Sequence, residues 1–143
     1  MASAQQILDR CRAMNSAELK NYGYSAYVNV EEYVARTISS HQQADGAILD
    51  CLLVCAALDS DLMRGEWEFI KYIFDFSESD YSMINSRAMS LRTIRVKRDV
   101  SDFCHTLPYN QKVSFITLCI ALMCSDGRFT YEDLDFLEDC LLS

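Results

Sequence analysis

The sequence predicts an all-α fold: one helical bundle of about seven to nine helices, containing two helical hairpins related by a pseudo-twofold axis. Three observations predict it. Apolar residues recur at helical spacing along nearly the whole chain, with no alternating strand pattern or β-hairpin turn. Capping residues punctuate the apolar runs. Two stretches, about 48–74 and 115–141, repeat one pattern at an offset of 67 residues. Half of the 143 residues are apolar and no tract has low complexity, so residues 1–143 form one domain with a sizeable core.

Taken in order, Ile7, Leu8, Cys11 and Met14 make the first apolar stripe, and Asn15 or Ser16 restarts the chain. Tyr22, Gly23 and Tyr24 blur the next pattern. Asn29 followed by Glu32 has the form of an N-cap with its capping-box partner, ahead of Tyr33, Val34 and Ile38. Asp45-Gly46 opens a strongly apolar helix that continues to Leu58. Further helices are expected at about 65–76, 78–87, 89–106, 108–124 and 131–142. Pro108, the one proline, suits a first helical turn, where its missing N–H is not needed.

The repeat lays "ILDCLLVCAALDSDLMRGEWEFIKYIF" over "FITLCIALMCSDGRFTYEDLDFLEDCL". Asp59 falls on Asp126, Leu62 on Phe129, Glu66 on Asp133 and Phe69 on Phe136. Each copy is an apolar helix, a short loop opening at Asp, one apolar plug, and a carboxylate on the first turn of an amphipathic helix. That is the shape of an αα-hairpin.

This pattern, Ala/Ser-Asp-Gly-x-apolar-x-x-x-acid between an apolar and an amphipathic helix, resembles the TerB-like (tellurite-resistance TerB) family over about residues 45–142. "SDGRFTYED" is the close match; "LDSDLMRGE" departs, with Ser60 in place of Gly and Gly65 at a helix start. The resemblance implies an all-helical module associated with stress and metalloid resistance or with membrane-proximal complexes. It also implies a divalent-cation site built from clustered carboxylates. Carried onto this chain, the metal-ligating candidates are Asp59, Asp61, Glu66, Asp126 and Asp133.

All five are hard oxygen donors, so the candidate ion is Ca²⁺ or Mg²⁺. Arg128 stands where the first copy has Asp61 and would repel a cation unless it points away. The competing reading needs no ion: Thr130 N-caps the last helix with Asp133 reaching back to it, and Asp126-Gly127 is a helix stop and turn. The two loops can share an ion only if the fold brings them together.

A formal charge of −8 argues against a nucleic-acid binder and suits a cation or a basic partner. The seven cysteines, at 11, 51, 55, 104, 119, 124 and 140, lack zinc spacing and read as small buried hydrophobes of a reducing cytoplasm. No secretory leader or membrane-spanning run is expected from the apolar stretches, so a cytoplasmic location is. Arg87, Arg92, Arg95, Lys97 and Arg98 form a basic stretch, and Glu132, Asp133, Asp135, Glu138 and Asp139 make the last helix acidic; both are expected to be solvated faces. Tyr22, Tyr24, Tyr27 and Tyr33 either recognise a partner or cover the core. No phosphate loop, dinucleotide fingerprint or nucleophile triad appears, so no catalytic residue is assigned. Three functions follow, in order: a TerB-like module that binds a partner protein, with a divalent-cation site; a metal-independent acidic adaptor or immunity-type protein for a basic partner; and a metal-dependent hydrolase. The oligomeric state is left open.

Overall fold

A computed structural model describes residues 4–57, 62–92, 94–127 and 129–142. Among them there are eight α-helices and no strand, so the predicted all-α bundle is observed. In chain order they are α1 (Ala4–Arg12), α2 (Ser16–Ile38), α3 (His41–Ala56), α4 (Arg64–Phe74), α5 (Tyr81–Ser90), α6 (Ile94–Thr106), α7 (Tyr109–Cys124) and α8 (Tyr131–Phe136). A 3₁₀ turn, Glu78–Asp80, leads into α5, and a π-helical turn, Leu137–Leu141, extends α8.

The core forms around α3 and α7. Every residue of α7 from Phe115 to Cys124 is buried, as is every residue of α3 from Cys51 to Ala56. A helix apolar all round must be enclosed on all sides. The long helix α2 packs along both, α1 covers α7, and α5 and α6 cover α3. Thr117, the polar residue in the buried run of α7, donates its hydroxyl to Val113 O at 2.8 Å and so leaves nothing unsatisfied. Helix α4 lies on α2 and α7, and the π-helical turn lies on α6.

Several predicted boundaries move, each for a local reason. Asn29 is no N-cap, because α2 runs unbroken across it; its amide donates to Ser114 Oγ of α7 at 2.6 Å. The cap is Asn15, whose Oδ1 accepts the Glu18 N–H at 2.8 Å while Glu18 accepts the Asn15 N–H at 2.9 Å. The blurred stretch at Gly23 is a packing site: a Cβ there would stand 2.4 Å from Cζ of the buried Phe69 ring. Asp45-Gly46 does not open α3 either. Ser40 caps it by accepting the Gln43 N–H at 3.1 Å, and Asp45 accepts the Tyr27 hydroxyl. The expected helix 89–106 breaks after Ser90, where Arg92 Nε donates to Ala57 O at 2.8 Å at the end of α3. Pro108 stands one residue before α7, at the N-cap, and its carbonyl accepts the Lys112 N–H at 2.8 Å.

The basic stretch is only partly a solvated face. Arg92 ties down α3, and Arg87 forks onto the Asp50 carboxylate at 3.1 and 2.8 Å. In the acidic last helix, Glu132, Asp135, Glu138 and Asp139 are exposed, whereas Asp133 is buried. The six cysteines described are free and buried. Burial pushes the Cys124 thiol up to about 12 and those of Cys11 and Cys104 up to about 11, so they sit in the core as inert thiols.

Candidate functional site: the two interhelical loops

The three predicted ligands among the described residues, Glu66, Asp126 and Asp133, sit at two helix starts and one helix end. Glu66 lies in the first turn of α4, where its Oε1 accepts the Met63 N–H at 2.9 Å. Asp133 lies in the first turn of α8. Its Oδ2 accepts the Thr130 N–H at 2.9 Å, and Thr130 Oγ1 accepts the Asp133 N–H at 3.1 Å. These are the same device 67 residues apart, a carboxylate folded back on the N-cap and favoured by the helix dipole. Both carboxylates are nearly removed from solvent, at 7% and 8% exposure. Met63 has no hydroxyl with which to return the bond, and Thr130 does.

Asp126 follows α7 in a turn closed by the Gly127 N–H on Cys124 O at 3.1 Å. Gly127 adopts φ +83°, the left-handed conformation expected for it. Ser125 donates its hydroxyl to Leu122 O at 2.6 Å, completing the helix end.

The structure brings the first turn of α4 against the second loop. A Cβ on Gly65 would meet Ser125 O at 2.4 Å and Asp126 Cα at 2.6 Å, so the first turn of α4 rests directly on the backbone of the second loop. The glycine that departs from the repeat pattern is therefore the residue that lets α4 approach that loop. Asp126 and Asp133 both lie close enough to Cys124 for their charges to reinforce its raised pKa, after the larger effect of burial. Asp59 and Asp61, and Arg128 opposite them in the repeat, lie outside the described residues. Among the described residues no three His, Cys, Asp or Glu side chains gather closely enough to hold a metal ion. Glu66 and Asp133 each commit one oxygen to a helix start, and that role requires no ion.

Other contacts here carried no sequence signal. Asn85 Oδ1 accepts the Leu62 N–H and the Tyr81 hydroxyl donates to Leu62 O, both at 3.0 Å, so α5 holds the end of the first loop. Beside the second loop, the Arg12 guanidinium lies 5.3 Å from the centre of the Phe129 ring. Both pairings span residues far apart in the chain and follow no local spacing rule. Of the four tyrosines, Tyr27 is half-buried with its hydroxyl on Asp45, while Tyr24 is exposed and packs edge-on against exposed Tyr72 at 6.1 Å.

A scan against protein-family models finds no match to this chain, and searches of curated proteins and of solved structures find none either.

Proposed function

We propose that this chain is a TerB-like helical module that binds a partner protein in a stress response of the metalloid-resistance kind, with a weak Ca²⁺ or Mg²⁺ site at its carboxylate loops. The observation that supports the reading is the contact of Gly65 with Ser125 and Asp126, which sets the first turn of α4, where Glu66 lies, against the second loop. Exposed Tyr24 and Tyr72, paired on the surface, support a binding role, since aromatic residues are enriched in protein interfaces. Among the described residues no helix is long and apolar enough to cross a membrane.

The test is thermal unfolding of chelator-treated protein with and without millimolar Ca²⁺ and Mg²⁺. An ion bound only to the folded state adds about 2.7 kcal/mol at a hundred times its dissociation constant. The expected result is a raised midpoint that is lost in Asp126→Asn, a residue outside both capping boxes. Unchanged midpoints with both ions would remove the metal site. A second reading would then stand, favoured by the caps that Glu66 and Asp133 already form: a metal-independent acidic adaptor whose grip on a basic partner weakens with salt.

A further inference from the structure

We propose that the groove between α3 and α6 receives an apolar side chain of a partner protein that is flanked by lysine or arginine. The proposal rests on the partner-binding reading above and gives it a location and a chemistry. The groove encloses about 280 Å³. That lies just below the range of small-molecule and cofactor pockets and suits one inserted side chain.

Its walls are two matching stripes. Helix α3 contributes Ala47, Asp50 and Cys51, and α6 contributes Val96, Asp99, Val100 and Phe103. Both sets follow i, i+3, i+4 spacing, so each lies along one helix face. The floor is apolar: Cys51 and Val100 are buried, while Val96 and Phe103 are half-buried and leave apolar surface open to a guest. The two ionisable carboxylates on the walls are Asp50 and Asp99, one from each helix.

The bidentate bond from Arg87 fixes the Asp50 carboxylate at the rim. Asp99 is exposed and has no hydrogen bond or ion pair among the described residues. Lys97 and Arg98 do not line the groove, since they fall off the stripe that runs through Val96, Asp99 and Phe103. A guest with an apolar centre and cationic flanks matches this pattern. An apolar guest with acidic flanks would be repelled by Asp99 and, more weakly, by the Arg87-paired Asp50.

The experiment is amide NMR titration of the full chain with three blocked tripeptides, acetyl-Lys-Phe-Lys-amide, acetyl-Gln-Phe-Gln-amide and acetyl-Glu-Phe-Glu-amide. The expected result is shift changes centred on residues 47–51 and 96–103, with affinity falling from Lys to Gln to Glu. Asp99 should contribute up to about fivefold and the Arg87-paired Asp50 less, and the spread should shrink at high salt. Asp99→Lys, at an exposed position, should turn the preference toward the Glu peptide. No binding by any of the three, equal affinities at low salt, or shift changes centred elsewhere would overturn the proposal. A host partner whose capture survives Asp99→Lys would keep the binding module and remove this groove as its docking site.

Discussion

The loop between α3 and α4 and the loop between α7 and α8 solve the same problem in different ways. Both deliver the chain from a buried apolar helix to a new helix whose first-turn carboxylate folds back on its N-cap, at Glu66 and Asp133. The first is held by directional bonds from elsewhere in the fold: Arg92 at Ala57 O, and Asn85 and Tyr81 at Leu62. The second is shaped by its own residues, a left-handed Gly127 and a threonine cap, and meets α1 through the stacking of Arg12 on Phe129. The comparison separates what a local motif specifies, the helix start, from what tertiary neighbours specify, the path between helices.

The point where α4 touches the second loop should be the most sensitive to change. Gly65→Ala places a methyl 2.4 Å from a backbone oxygen, and backbone cannot swing aside as a side-chain end can. Overpacking of this kind costs about 3 kcal/mol. The position 67 residues on holds Glu132, which is exposed, so the close approach belongs to one copy alone. Gly127→Ala provides the contrast. Nothing lies within 4 Å of its Cβ position, and the cost is only that of a left-handed backbone, about 1 kcal/mol. Denaturant unfolding of both variants checks the order; equal losses would mean that α4 and the second loop do not press on one another.

Next in size come the covers over each loop. Asn85→Ala leaves the N–H of buried Leu62 without its acceptor, at about 1–3 kcal/mol. Arg12→Ala removes an exposed cation–π contact worth about 0.5–1 kcal/mol. If the losses came out in reverse order, the second loop would be the one that depends on its neighbours.

How much of this could be read in the chain follows the same division. The apolar helices α3 and α7 were legible because continuous burial leaves continuous hydrophobicity, and the Thr130–Asp133 cap because its residues are three apart. Asn29 has the same cap-like form and proved to lie inside α2, since the real cap at Asn15 and the packing of Phe69 on Gly23 carry that helix through. The break between α5 and α6 has neither glycine nor proline; the contact there is Arg92 on Ala57 O, a partner that local periodicity does not contain. Gly65 appears in the sequence as a flaw in a repeat. Its reason is a backbone about sixty residues away. For the candidate site, the residue types and both helix starts were legible, whereas the contact of α4 with the second loop was not.

The two helix starts give the cleanest comparison, because the structures differ there by one hydroxyl. Thr130→Ala removes the acceptor for the Asp133 N–H and should cost about 1 kcal/mol, the usual loss for a capping hydroxyl. Met63 stands at the matching N-cap of α4, is 37% exposed, and already has extended backbone with Glu66 folded onto its N–H. Met63→Thr supplies the missing half of the box at a site built to receive it, and should gain several tenths of a kcal/mol. Chemical unfolding of the two variants and the double mutant measures both terms, which should add because each hydroxyl serves only its own helix. A loss on Met63→Thr would show that the methionine side chain does more for the start of α4 than a cap could, and the two loops would then differ at their helix starts as well as in their covers.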